Sequence, residues 1–240
     1  DECIIYTDVE GVYTTDPNIE TNAKKIDKLT YEEMLEMSST GAKVLQTRSV
    51  ELAMKNNLTL QVLSSFTNQQ GTYVVNENEL IENEIVSGVS YSKNESKITI
   101  SGIPDKPGIS ALVFGLMASH NINVDMIVQN ISQDGINANI TFTVPNNELE
   151  ESKKIIEEKY NELNYSNLST DSDIAKISVV GMGMMSQSGV AEKMFTTLAK
   201  NKINIQAIST SEIKISVLIK KIYTDLAIKS LHDVYKLDKK

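Results

Sequence analysis

The sequence predicts an α/β (α+β) chain in which a short α/β segment precedes two ferredoxin-like βαββαβ units. Three observations carry this. First, Gly102-Ile103-Pro104-Asp105-Lys106-Pro107-Gly108 opens an apolar-periodic run that leads to Ile122-Asn123-Val124, and the same order returns from Gly183 to Gly189 and on to Ile203-Asn204-Ile205. Gly102 and Gly183, Gly108 and Gly189, Phe114 and Phe195, Ala118 and Ala199, and Asn123 and Asn204 all stand 81 residues apart. A spacing held across such different residue types marks two copies of one supersecondary unit. Second, around each copy the apolar pattern switches between period two and period 3.6 in the order of a split βαβ unit. Third, residues 1–67 read as strand, loop, two helices and strand, an α/β arrangement.

Taken in order, Cys3 to Tyr6 reads as a buried strand running into Thr7-Asp8. The chain does not begin with Met and enters at once on a strand, so an upstream half is expected. Thr30 with Glu33 three residues later forms a capping box, and Tyr31, Met34, Leu35 and Ser38 share the helical face that follows. Gly41 interrupts that helix. Val44, Leu45, Val50 and Ala53 predict a second one ending near Asn56-Asn57, and Leu60, Val62 and Ser64 alternate as a strand. Residues 68–84, rich in Asn, Gln, Glu, Gly and Thr, read as the linker.

The first repeated unit is expected over 85–170. Ile85 to Tyr91 and Lys97 to Ser101 are strands; Ile109, Leu112, Val113, Leu116 and Met117 mark an amphipathic helix; Val124 to Ile131 and Ile140 to Val144 are strands, and Leu149 to Tyr160 is a helix. Asp171-Ser172-Asp173 joins it to the second unit, 171–240. There Ile177 to Val180 is a strand, Val190, Ala191, Met194, Phe195 and Leu198 face one side of a helix, Ile205 to Ser209 and Ile213 to Ile219 are strands, and Thr224 caps a last helix.

Composition excludes several classes. With 23 Lys+Arg against 32 Asp+Glu the net charge is −9 and no basic block occurs, so nucleic acid and anionic membrane lack their electrostatic driving force as partners. No apolar run approaches a membrane span and no signal peptide is visible. One cysteine, Cys3, forbids an internal disulfide, and two distant histidines make no metal site; a reducing cytoplasmic setting follows. His120 reads as a helix-end cap, and His232 as a surface or core residue.

The chemistry concentrates at the helix-opening glycine. Gly108-Ile109-Ser110 brings backbone close to a ligand and offers first-turn N–H groups to a carboxylate. Asp105 is placed to hold an ammonium, and Gln129 and Asn130 add neutral donors and acceptors, a polarity that fits a free amino acid. Asp-x-Pro-Gly before an amphipathic helix also reads as an ordinary helix start. In the second copy Ser186 and Ser188 replace Asp105 and Pro107, so the copies are not expected to bind equally.

Thr7-Asp8-Val9-Glu10-Gly11-Val12-Tyr13-Thr14-Thr15-Asp16-Pro17, Tyr31-Glu32-Glu33-Met34-Leu35-Glu36, Gly41-Ala42-Lys43-Val44-Leu45 and Arg48-Ser49-Val50 resemble the C-terminal part of the aspartokinase catalytic domain, an amino-acid-kinase fold. Asp105-Lys106-Pro107-Gly108, Val128 to Ser132 and Ile208 to Ile213 resemble the tandem ACT domains that regulate those enzymes. The resemblance implies transfer of the ATP γ-phosphoryl group, with Mg2+, to the β-carboxylate of aspartate. It places the nucleotide along Thr7, Asp8, Tyr13, Thr14, Thr15, Asp16 and Lys43. Without it, Lys43 reads as a solvated helix-start lysine, and Asp8 and Asp16 as turn residues. It places effector contacts at Asp105, Lys106, Pro107, Gly108, Ile109, Ser110, Asn123, Val124, Asp125 and Gln129, and at Asn204, Ile205 and Ser211 of the second unit. Lysine, threonine or both are the implied effectors, and a homodimer through the ACT units the implied assembly. Because some members carry the first ACT unit inserted within the second, the strand at Ile85 to Tyr91 fits either unit. Two departures stand out: Asn18 occupies a place that is commonly basic, and the family's Lys-Phe-Gly-Gly loop and Arg-Gly-Gly-Ser-Asp segment have no counterpart here, so the chain alone is expected to be inactive. The alternative is a non-catalytic amino-acid-binding regulatory subunit.

Overall fold

The computed structural model describes residues 2–42, 44–79, 85–132 and 135–239. They form two compact units: Asp1–Ser92 together with Lys176–Lys240, and Lys93–Ala175.

The first unit opens with β1 (Glu2–Thr7), β2 (Lys28–Thr30), α1 (Tyr31–Ser39), α2 (Thr47–Lys55), β3 (Thr59–Ser64) and β4 (Thr72–Val75). The four strands make one sheet in the order β1-β3-β4-β2, with β1 parallel to β3, β3 antiparallel to β4, and β4 parallel to β2. The capping box is present in full: Thr30 Oγ1 accepts from Glu33 N at 3.1 Å and Glu33 Oε2 accepts from Thr30 N at 3.1 Å. Met34 and Met37 of α1 and Val50 and Ala53 of α2 then bury against Leu60, Val62 and Val74. Two expectations are corrected here. The strand at Cys3 to Tyr6 is half exposed, with Ile4 at 44% and Tyr6 at 63%, because Cys3 and Ile5 face the core while the alternate residues of the pleat point away from it into solvent. The expected linker at 68–84 contains β4, an interior strand. Thr72-Tyr73-Val74-Val75 is a β-branched and aromatic run whose burial comes from β2 and β3, not from its polar neighbours.

β5 (Gly88–Ser92) follows, and then the other unit begins: β6 (Glu95–Pro104), α3 (Ile109–Ser119), β7 (Ile127–Ile131), β8 (Asn137–Pro145), α4 (Leu149–Glu158), the single turn α5 (Tyr160–Leu163) and β9 (Asn167–Asp171). Its antiparallel sheet runs β7-β8-β6-β9, and α3 and α4 cover one face. Val113, Met117 and Ile156 pack on Ile98, Ile100, Ile140 and Phe142, and Phe114 meets Phe142 edge to face with ring centroids 5.5 Å apart. β7 starts later than the expected Val124.

The chain returns to the first unit with β10 (Ile174–Val180), α6 (Val190–Lys200), β11 (Ala207–Thr210), β12 (Lys214–Lys220) and α7 (Thr224–Val234). This sheet runs β11-β12-β10-β5. Its fourth strand is therefore β5, which pairs antiparallel with β10 from Ser92 opposite Lys176 to Gly88 opposite Val180. The strand expected at 85–91 thus serves the second repeat, and Lys93–Ala175 is inserted between that strand and the rest of its sheet. β5 holds the edge position that β9 holds in the inserted unit. Thr224 does not cap α7; its hydroxyl donates backward to Lys221 O at 2.7 Å, and Tyr223 occupies the cap position. His120 does end α3, its Nδ1 lying 2.9 Å from Leu116 O.

The offset of 81 survives in the backbone. α3 and α6 span positions 81 apart, and both follow a left-handed glycine, Gly108 at φ 94° and Gly189 at φ 92°. Both helices are followed by a left-handed residue, Asn121 at φ 58° and Lys202 at φ 57°. Only glycine adopts the first conformation without a Cβ penalty, which is why the repeat is most visible there.

Candidate functional site

β1 and β3 are parallel, and Thr7 and Ser64 close their carboxyl ends side by side. That end of an α/β sheet is where ligands gather, since loops there diverge from the strands. Ser65 N donates to Thr7 O at 2.8 Å, and Thr7 Oγ1 donates to Asp8 Oδ1 at 3.1 Å, leaving the Asp8 carboxylate exposed. Phe66, two residues past β3, is 80% exposed at this end, and no periodic pattern in the sequence singled it out.

The loop from Tyr13 to Asp16 is more embedded than its polar residues suggest. Tyr13 bridges to Lys25, and its phenol, 3.4 Å from Glu10 Oε2, has its pKa raised by burial and by the neighbouring Glu10 charge. Thr14 is fully buried: its N–H donates to Lys24 O at 2.8 Å, its carbonyl accepts from Val89 N at 2.7 Å, and its hydroxyl lies 2.9 Å from His232 Nε2. Thr15 Oγ1 is buried without a partner. Asp16 Oδ1 accepts from Asn18 N and Nδ2 at 2.9 and 3.0 Å, and Oδ2 accepts from Tyr91 OH at 3.0 Å. The side chains of Thr14 and Asp16 are thus directed into the protein. Lys43 lies outside the described residues.

In the inserted unit, Asp105 N donates to Ile136 O at 2.9 Å and its carboxylate is exposed, as are Lys106, Pro107 and Gly108. Ile109 points into the core at 3% exposure and anchors the turn. No side chain caps α3, so the first-turn N–H groups of Ser110 and Ala111 are left to an outside acceptor. Ser110 Oγ donates to Gln129 Oε1 at 2.7 Å, joining the helix start to β7. Asn123 is exposed, Val124 packs on the core, and Asp125 N donates to Thr143 O at 3.1 Å. The structure brings Ser110 and Gln129 together and places Asp105 on the loop leading to them. In the second repeat, Asn204 and Ser211 stand before and after β11, Ile205 packs inward, and Ser211 N closes the β11–β12 turn on Lys214 O at 2.8 Å. A cavity of about 240 Å³, not foreseen, opens beside Ser188, Gly189, Lys193 and Tyr235, whose hydroxyl donates to Val190 O at 2.7 Å.

Two buried polar groups make long-range contacts that the sequence does not show. Glu33, expected only as a cap, also accepts from Ser87 Oγ at 2.5 Å and from Met182 N at 3.0 Å. His232, at 2% exposure, meets Thr14. The signal was present in its spacing: Thr224, Ala227, Ile228 and Leu231 face inward, and position 232 continues that pattern.

Among the described residues no helix is long and apolar enough to cross a membrane, and no cluster of three or more His, Cys, Asp or Glu could hold a metal. Residues 98–160 and 177–235 match the ACT domain family, and residues 1–64 match the amino acid kinase family. Aspartate kinase of Pseudomonas fluorescens is 49% identical over 239 residues, covering 99% of this chain and 58% of that protein. The chain thus spans somewhat over half the length of the curated relatives it matches. Among solved structures, aspartokinase alpha and beta subunits match at 42% identity with a TM-score of 0.59 over 63% of this chain and 99% of that one. The aspartate kinase of Clostridium acetobutylicum matches at 25% identity with a TM-score of 0.86 over 97% of this chain and 54% of that one. An amino acid kinase segment continued by two ACT repeats, one nested in the other, makes this chain a member of the aspartokinase family.

Proposed function

We propose that the chain serves an ATP-dependent aspartate kinase, supplying the nucleotide edge of its catalytic domain and a sensor for lysine, threonine or both. The observation that carries the sensor reading is the uncapped α3 start behind Gly108, with Ser110 tied to Gln129 and Asp105 exposed on the same loop. A zwitterion fits this set: its carboxylate meets the first-turn N–H groups and the Gln129 amide, and its ammonium meets Asp105. Lys106, Pro107 and Asn123 to Asp125 border it, with Asn204, Ile205 and Ser211 as the second repeat's counterparts.

On the catalytic side, Thr7 and Asp8 border the nucleotide, Tyr13 to Asp16 lie along it, and Lys43 reaches its phosphates. Phosphoryl transfer depends mainly on positioning and charge neutralisation, which strand-end groups and a lysine supply. The Mg2+ that accompanies ATP takes only one or two protein carboxylates, and the exposed Asp8 fits that part; bound, the ion offsets phosphate charge. The remaining catalytic groups come from the rest of the kinase, so this chain alone transfers no phosphate. Among the described residues β7 and β11 each pair with a strand on one side only, and they carry the exposed Ile131 and Ile208, which suits pairing with a second copy of the chain.

A second reading, a separate sensing subunit, is favoured by the likeness to aspartokinase alpha and beta subunits, almost the whole of one such chain being covered. Titration calorimetry with L-lysine and L-threonine, paired with a phosphotransfer assay, separates these. Heat from either amino acid, with binding much weakened in Asp105→Ala, supports the sensor, and the absence of heat from both overturns it. Phosphotransfer only in the presence of a polypeptide that supplies the remaining catalytic groups supports the kinase reading. A chain that never restores it is a sensor alone.

A further inference from the structure

The loop assigned to the nucleotide is held from behind by the second ACT repeat. Three bonds reach it from two elements of that repeat. Val89 N of β5 donates to Thr14 O at 2.7 Å, Tyr91 OH of β5 donates to Asp16 Oδ2 at 3.0 Å, and His232 Nε2 of α7 lies 2.9 Å from Thr14 Oγ1. On its own side the loop has Thr14 N on Lys24 O, and Lys24 N returning to Thr14 Oγ1 at 3.0 Å. The Thr14 oxygen therefore receives Lys24 N–H while it pairs with the imidazole, so one hydroxyl serves both the kinase segment and α7. Thr14 and His232 are 0% and 2% exposed, so the pair is shielded from bulk water. The ring belongs to the inward face of α7, beside Ile228 and Leu231, where packing fixes its orientation.

We infer that His232, with Tyr91, is a positioning residue for the kinase reaction: from within the regulatory repeat it sets the conformation of the Tyr13–Asp16 loop that takes the nucleotide. Neither side chain touches substrate; each acts through Thr14 or Asp16. A shift of α7 or β5 within the repeat reaches the loop through these bonds. This rests on the assignment of nucleotide to that loop, and the test separates the two.

Amide exchange would be measured on the chain as His232→Leu, which keeps volume and removes the polar partner, as His232→Gln, whose amide restores a group near the Nε2 position, and as Tyr91→Phe. Should His232→Leu not fold, Thr14→Val removes the same bond from the other side. Expected is a roughly tenfold or greater rise in exchange at Thr14 and Val89 in His232→Leu, mostly restored in His232→Gln, with a smaller rise in Tyr91→Phe. In the assembled kinase the same variants should raise KM for ATP several-fold with kcat little changed. Unchanged exchange in His232→Leu and Tyr91→Phe overturns the tie itself. Raised exchange with unchanged KM overturns the placement of nucleotide at this loop, and leaves His232 a core residue.

Discussion

Ser110 Oγ donates to Gln129 Oε1 across 2.7 Å, so the first turn of α3 dictates how the Gln129 amide is turned. With its oxygen occupied, Gln129 presents its NH2 outward as a donor. Ser110→Ala frees the amide and should weaken lysine or threonine binding roughly three- to tenfold, the worth of one neutral hydrogen bond. Asp105→Ala removes a charged partner and should weaken it roughly ten- to hundredfold. Both sites lie away from the core, so unfolding free energy should change by no more than about 0.5 kcal/mol. Calorimetry and urea denaturation on the same samples check the pair.

Glu33 makes a different prediction, because its carboxylate is buried and fully engaged. Oε2 serves Thr30, while Oε1 takes Ser87 Oγ from just before β5 and Met182 N from just after β10, both in the second repeat. Thr30→Ala loses a cap and should cost about 1 kcal/mol. Glu33→Ala orphans several buried donors at once and should cost about 3 kcal/mol or more, with Ser87→Ala near 1 kcal/mol. Urea midpoints ranked in any other order would separate the helix cap from the repeat.

The contrast between α3 and β4 shows what the sequence carries. α3 is legible because Ile109, Val113 and Met117 recur at helical spacing and the same face is what the sheet buries. β4 has four residues set in polar surroundings, and its burial is supplied by β2 and β3, contacts that no local window contains. β5 was recognisable as a strand, but alternation says nothing about the partner, and its register with β10 spans the whole inserted unit. The site divides in the same way. Ser110 and Gln129 could be named singly as polar groups near a glycine turn, whereas their mutual bond depends on β7 lying beside α3. Thr14 sits in a loop without periodicity, so nothing local revealed that its hydroxyl faces inward.

Tyr91 titrates late. Burial first, then its bond to Asp16 and the charges of Asp16 and Asp225, push its pKa from 10.0 up to about 12. The folded chain thus keeps the phenol protonated where the unfolded chain has lost the proton. The stability it contributes is fully present below pH 10 and is lost as the pH rises from there to about 12. Phenolate absorbance followed against pH should show one fewer late-ionising tyrosine in Tyr91→Phe. Its thermal midpoint should also fall less steeply over that window than that of the parent chain.

Gly108 and Gly189 offer a test of whether the two repeats still do the same work. Both have positive φ, 94° and 92°, and a Cβ built on either meets nothing within 4 Å. Alanine at either site therefore costs only backbone strain, about 1–2 kcal/mol, and the two costs should agree within error. Ligand binding should not agree. At Gly108 the new methyl intrudes where a carboxylate approaches the Ser110 and Ala111 N–H groups, and Asp105 stands ready for the ammonium. At Gly189 the corresponding position holds Ser186, which carries no charge. Gly108→Ala should abolish effector heat in calorimetry while Gly189→Ala leaves it almost intact. Equal loss in both would mean that the second repeat binds as the first does, by contacts that do not need an acidic residue.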